Sequence, residues 1–142
     1  MNIQEMKAFA AKFLSGLEPV SGGTSGATII GLRGDLGAGK TTFTQACADL
    51  LGISETVTSP TFVILKKYKL AGKFDFLIHI DAYRLKGGAE LNGIGWQEVI
   101  SNPKNLIMIE WPELVSEVMP ANTIYLDFKH VNETTREIKT GN

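Results

Sequence analysis

Apolar positions along the chain change period several times, and each change marks an element. Ile3, Met6, Phe9, Ala10, Phe13, Leu14 and Leu17 recur at helical spacing, which predicts an amphipathic surface helix over 3–17. Ala27-Thr28-Ile29-Ile30-Gly31-Leu32 is short, apolar and β-branched, so it reads as a buried strand. Phe43, Ala46, Cys47, Leu50 and Leu51 return to helical spacing, and Gly52 suits the end of that helix. Two strand-like stretches, Phe62–Leu70 and Phe74–Asp81, flank Ala71-Gly72-Lys73 at hairpin spacing. Residues 86–105 are punctuated by Gly87, Gly88, Gly93, Gly95 and Pro103, so they read as loop and short helix. Leu106-Ile107-Met108-Ile109 is compact and apolar, the pattern of an interior strand. A helical turn or two is expected over Leu114–Met119, then antiparallel strands over Thr123–Lys129 and Thr135–Lys139. The expectation is one α/β domain over 1–142. Its sheet is of the P-loop NTPase type, mixed parallel and antiparallel, with helices on both faces.

Composition narrows the function without naming it. At 142 residues and 44% hydrophobic, the chain can bury a sizeable core. A net charge of −1 gives no broad attraction to nucleic acid. Lys66, Lys67, Lys69 and Lys73 form a small basic cluster, read as a solvated strand edge. The single cysteine, Cys47, lies on the apolar side of its helix and reads as core; no internal disulfide is possible. No segment has the length and apolarity of a membrane span, and the N-terminal pattern is that of a helix rather than a signal peptide. A reducing, cytoplasmic setting is the expectation. With 2 histidines and 1 cysteine, no zinc-site spacing appears.

The chemistry concentrates between the first predicted strand and the second helix. Gly34-Asp35-Leu36-Gly37-Ala38-Gly39-Lys40-Thr41 matches G-x-x-x-x-G-K-[ST] throughout. Glycines let successive backbone N–H groups turn inward on a phosphate, and the helix that follows adds its positive end. Lys40 brings a cation to the β- and γ-phosphates, and the Thr41 hydroxyl can ligate Mg²⁺. The bland alternative, a glycine-rich turn with a solvated lysine, does not explain the strand–loop–helix setting.

Two acids end apolar strands. Leu77-Ile78-His79-Ile80 runs into Asp81, and Leu106-Ile107-Met108-Ile109 runs into Glu110. P-loop enzymes use such an acid beside the loop to hold Mg²⁺ or its waters, and strand carboxyl ends line the ligand crevice. Both acids reach the P-loop if their strands run parallel to the first. His79 shares a strand face with Asp81; on residue type alone it reads as a buried core histidine. Ser59-Pro60-Thr61 reads either as an ordinary turn or as a switch segment sensing the γ-phosphate.

The blocks GDLGAGKTTF (Gly34–Phe43), SPTF (Ser59–Phe62), HIDAYRL (His79–Leu85) and EWPE (Glu110–Glu113) together resemble the TsaE family, also called YjeE, in order and spacing. The resemblance covers about residues 3–128. The P-loop is common outside the family, and the other three blocks carry the specificity. What the resemblance implies is a Mg²⁺-dependent P-loop ATPase needed for threonylcarbamoyl modification of adenosine 37 in tRNAs reading ANN codons. It implies the TsaB–TsaD complex as partner, tRNA reached indirectly through that complex, and ATP hydrolysis that resets the assembly. Nucleotide binding then falls to Asp35, Leu36, Gly37, Ala38, Gly39, Lys40, Thr41, Thr42 and Trp111. Thr41 and Glu110 are the metal-side residues, and Asp81, Glu110 and Thr61 carry the catalytic roles, Thr61 as the switch-like threonine; the resemblance also raises His79 above a plain core residue. Many members place a threonine near the adenine where this chain has Met6.

A small-molecule kinase is the alternative reading, because kinases share this loop. Kinases supply lid arginines, and the arginines here are Arg33, Arg84 and Arg136, with no Arg-rich segment. A nucleotide-binding scaffold without hydrolysis is a second alternative, weighed against by the two acids. A guanine-reading N-K-x-D segment is absent; Lys104 precedes Asn105 in the wrong order.

Overall fold

The computed structural model describes residues 3–18, 26–35, 39–53, 65–132 and 135–141. Six strands form one sheet: β1 (Thr28–Arg33), β2 (Leu65–Lys69), β3 (Phe76–Asp81), β4 (Asn105–Glu110), β5 (Ile124–Asn132) and β6 (Thr135–Gly141). Their order is β2-β3-β4-β1-β5-β6. The inner four run parallel, β3 with β4, β4 with β1, and β1 with β5. Each edge is an antiparallel partner, β2 on β3 and β6 on β5. The mixed sheet is thus the expected one, with its parallel part in the middle.

That division follows from the residues. Strands β1, β3 and β4 are largely apolar and buried on both faces, and β4 is buried at every position from Asn105 to Glu110. The edge strand β2 carries Lys66, Lys67 and Lys69, whose charges discourage pairing with a further strand. Lys67 lays its ammonium over the Phe76 ring at 4.0 Å, and Lys73 reaches back to the Leu14 carbonyl (3.1 Å) and Glu18 (3.4 Å). The lysine cluster is therefore an edge that also pins the hairpin to the first helix.

Period two sorts the strand residues onto two faces. On one face, Ile30, Leu32, Leu77, Leu106, Met108 and Leu126 meet α1 (Ile3–Ser15) and α2 (Lys40–Leu50). Met6, Ala10 and Leu14 seat α1 there, with Leu17 just beyond its end, so Met6 belongs to the core. Phe43 touches Phe9, Phe13 and Phe128 at centroid distances of 5.9, 6.0 and 5.5 Å, at angles of 54–67°. On the other face, Ile29, Ile78, Ile80, Ile107 and Ile109 pack under α3 (Gly88–Gly93), α4 (Trp96–Ser101) and 3-10 turns over Pro112–Val118. Trp96 is the anchor of that layer, fully buried with Nε1 donating to the Val118 carbonyl at 3.0 Å. Helices on both faces were expected; the loop-rich stretch 86–105 resolves into two short helices instead of one.

The α2 helix ends as its sequence indicated. Gly52 lies at φ 84, and the N–H groups of Leu51, Gly52 and Ile53 close on the carbonyls of Cys47, Asp49 and Ala48. Cys47 has 0% exposure, and burial pushes its thiol well up from the ordinary value. A thiol-reactive dye should label it at least about 10³-fold more slowly in native protein than in denaturant, because reaction waits for opening. Rapid labelling of native protein, read by absorbance, would contradict this packing of α2.

Candidate functional site

Parallel pairing brings the carboxyl ends of β1, β3 and β4 to one edge of the sheet. Leu32 stands beside Glu110, and Asp81 beside Glu110, in register. The ladder continues one residue on: the Ala82 N–H donates to the Glu110 carbonyl (3.0 Å) and the Trp111 N–H to that of Leu32 (3.3 Å). The condition set by the sequence, parallel strands ending in acids beside the loop, is met.

The chain leaves β1 through Gly34 at φ 144, and a Cβ there would come within 2.5 Å of the Phe128 carbonyl oxygen. Glycine is required at this exit. Gly39 precedes α2 in the left-handed region (φ 104, ψ 10) and offers no side-chain cap. The first turn of α2 also lacks an acid, so the positive end of its dipole carries no carboxylate of its own. Asp35 is exposed at the loop's start. Leu36, Gly37, Ala38 and Thr61 lie outside the described residues.

Lys40 and Thr41 open α2 and face different partners. Lys40 is 4% exposed; its ammonium donates to the Gly34 carbonyl and sits 3.7 Å from the Trp111 ring centroid. Burial lowers the Lys40 pKa, and nearby Glu110, Glu113, Asp81 and Asp35 oppose that shift. Thr41 Oγ1 donates to Glu110, 3.3 Å from Oε1 and 3.5 Å from Oε2. Thr42 is exposed on the outer side of the same turn.

Trp111 follows β4 directly and takes φ 62, ψ 46. It is the one described non-glycine residue with positive φ, a conformation that costs on the order of 1–3 kcal/mol. The turn puts its indole over Lys40 and against Tyr83, 5.2 Å between ring centroids. Asp81 is half-buried and accepts from the Tyr83 N–H at 3.0 Å. Burial raises its pKa; the Tyr83 hydrogen bond opposes that, and the Glu110 charge adds to it.

His79 reads as core by residue type and is raised above that by the resemblance, but the sequence assigns it no partner. It has 0% exposure, and its Nε2 lies 2.7 Å from Glu110 Oε2. The shared face of His79 and Asp81 was legible, but the pairing of β3 with β4 that brings Glu110 within reach was not. Arg33, the last residue of β1, is committed elsewhere. Its guanidinium binds Asp127 with two bonds (2.6 and 3.0 Å) and covers the Tyr125 ring at 4.4 Å. Arg84 is exposed beyond Tyr83.

A family profile described as threonylcarbamoyl adenosine biosynthesis protein TsaE matches residues 1–138. The chain belongs to the TsaE family. A tRNA threonylcarbamoyladenosine biosynthesis protein TsaE from Bacillus subtilis is 35% identical over 138 residues, covering 97% of this chain and 80% of that one. The TsaE of Rickettsia bellii is 35% identical over 138 residues, with 94% and 85% covered. That of Treponema pallidum is 37% identical over 111 residues, with 78% and 79% covered. The crystal structure of Bacillus subtilis YdiB superposes with a TM-score of 0.75 at 31% identity, over 99% of this chain and 80% of that one. The fold and its membership in a tRNA threonylcarbamoyladenosine biosynthesis family therefore agree with the resemblance carried by the four sequence blocks, and the protein's partners are to be sought in that pathway. Among the described residues no helix is long and apolar enough to cross a membrane.

Proposed function

We propose that this TsaE-family chain binds ATP with Mg²⁺ at the carboxyl edge of its sheet and hydrolyses it to drive the TsaB–TsaD complex through its cycle in the cytoplasm. The modified residue is adenosine 37 of tRNAs reading ANN codons, reached through that complex. One observation carries the reading: a helix N-terminus that Gly39 gives no side-chain cap, opening with Lys40 and Thr41, opposes two strand-end acids, and Thr41 already touches one of them.

The donor chemistry fits the proposed ligands. Among the described residues no group of three or more His, Cys, Asp or Glu side chains could hold a metal ion alone. Thr41 and Glu110 offer hard oxygens, which suits a cation that takes most of its ligands from phosphate and water, as Mg²⁺ does. Bound there, Mg²⁺ supplies neutralisation of charge on the phosphates. Lys40 exchanges the Gly34 carbonyl and the Trp111 face for phosphate oxygens. Trp111 thereby stands beside the nucleotide, and Thr42 beside its phosphates. Glu110 holds the cation or its water shell. Asp81, with its raised pKa, orients the attacking water and accepts hydrogen bonds from it.

The kinase alternative loses ground to one contact. A transferring enzyme needs mobile arginines over the phosphates, and Arg33 is held by Asp127 and Tyr125. Arg84 is the remaining described arginine near the site, exposed on the loop after Asp81. A missing arginine at the transition state is worth about 10³–10⁵ in rate when a partner supplies it or orders the site. The purified chain should therefore release phosphate slowly, TsaB–TsaD should change that rate, and ATP should change affinity for the pair. Calorimetric titration of the pair with and without ATP, beside phosphate release, checks this. Equal affinity and an unchanged rate would favour a stand-alone ATPase or kinase, and phosphate gained by a small acceptor would favour the kinase.

A further inference from the structure

The buried bond between His79 and Glu110 has no part in the reading above, and it is an expensive thing to place in a core. Both residues project onto the α2 face of the sheet, because β3 and β4 pair with His79 beside Met108 and Asp81 beside Glu110. The neighbouring positions on that face, Leu77, Leu106 and Met108, are apolar and completely buried. A leucine in place of His79 would continue that apolar surface but leave the Glu110 carboxylate buried without its histidine. Instead the histidine has 0% exposure, the glutamate has 4%, and His79 Nδ1 meets no hydrogen-bond partner among the described residues. An unpaired buried polar atom costs on the order of 1–3 kcal/mol. Apolar packing therefore does not account for His79.

The geometry of the carboxylate does. With Glu110 in the ionised form that a cation needs, its oxygens only accept, so the proton of the 2.7 Å bond belongs to His79 Nε2. The bond holds Oε2 toward the interior. The other oxygen, Oε1, is the one nearer Thr41 Oγ1, at 3.3 Å. We propose that His79 is a positioning residue: its Nε2–H bond to Glu110 Oε2 fixes the carboxylate plane so that Oε1 faces Thr41 and the cation's water shell. This rests on the reading of Glu110 as a metal-side residue. Partners of this kind, one bond behind a metal-side carboxylate, are typically worth 10–100-fold in metal affinity or activity.

Two substitutions separate positioning from packing. A glutamine amide nitrogen reaches about as far as histidine Nε2, while an asparagine amide reaches only as far as Nδ1. The measurement is calorimetric binding of a slowly hydrolysed ATP analogue, in Mg²⁺ and in EDTA, to wild type, His79→Gln, His79→Asn and Glu110→Gln. Circular dichroism establishes that each is folded. His79→Asn should lose about 10–100-fold of the Mg²⁺-dependent tightening and bind as wild type in EDTA. His79→Gln should keep most of the tightening. Equal retention or equal loss in the two His79 variants overturns the positioning role, provided Glu110→Gln does lose the tightening. A wild-type Mg²⁺ effect in Glu110→Gln overturns instead the reading of Glu110 on which it rests. Should His79→Asn not fold, His79→Gln decides: retained tightening supports the role, and its loss from folded protein overturns it.

Discussion

Lys40→Ala should lower ATP hydrolysis by about 10²–10³-fold and weaken ATP binding while the protein remains folded. The side chain is buried, yet what it touches is replaceable: one carbonyl, that of Gly34, and one aromatic face, that of Trp111. Losing those contacts costs stability, and removing a buried ammonium whose pKa is lowered by burial offsets the loss. The phosphates have no such substitute. The cation enters where negative charge gathers, at the N-terminus of α2, and the first turn of that helix carries no other charged side chain. Lys40→Met, which keeps the aliphatic stem, should fold equally well and be equally impaired, which isolates the charge from the packing. Binding measured by titration, turnover by phosphate release and folding by circular dichroism decide the matter. Near wild-type turnover in both variants would remove the P-loop from the reaction.

Asp81→Asn and Glu110→Gln should each cut Mg²⁺-dependent hydrolysis by about 10²–10³-fold and weaken nucleotide binding far less, because both act on the cation shell and the attacking water. Asp81 bears on the fold as well. Burial raises the Asp81 pKa above its unfolded value, so ionising it costs the folded state more than the unfolded chain. Its favourable contribution is complete below the unfolded pKa and is lost as pH rises toward the folded one. Above that window the ionised wild type carries a penalty that asparagine lacks. Asn can still accept the Tyr83 N–H. Asp81→Asn should accordingly match or exceed wild type in thermal stability at neutral pH, with the advantage vanishing in acid. A lower melting temperature at pH 7 with normal hydrolysis would give Asp81 a structural role instead.

Such a gain in stability from disabling a residue is what a strained site predicts, and Trp111 makes the same point. Its left-handed backbone carries the indole over Lys40 and against Tyr83. The sequence announced a tryptophan after a strand, and the resemblance placed it near nucleotide. The positive φ that aims it had no local signal, since neither glycine nor asparagine stands there.

Much of the molecule was legible in order along the chain. Helical spacing located α1 and α2, Gly52 closed α2 where it should, and the apolar runs gave β1, β3 and β4 to within about two residues. The 3-10 turns over Pro112–Val118 were less visible, because Val115 leaves helical geometry within them (φ −129, ψ 31). Ser59-Pro60-Thr61 and part of the P-loop lie outside the described residues, so those expectations stand as they were.

Local chemistry, then, was determined by sequence alone: a glycine exit at Gly34, a cation and a hydroxyl opening a helix, and two acids ending buried strands. These depend on spacings of a few residues, where backbone sterics and side-chain period leave few choices. What the tertiary structure decided was who faces whom. The order β3-β4-β1 set Asp81 beside Glu110 and Glu110 beside Leu32, and the period of two then turned His79 and Glu110 onto one face, 2.7 Å apart. Strand order arises from how two helical layers cover both faces of the whole sheet, a property of the complete set of apolar surfaces rather than of any one segment. For that reason Thr41, 69 residues from Glu110 in the chain, meets it only in the folded protein.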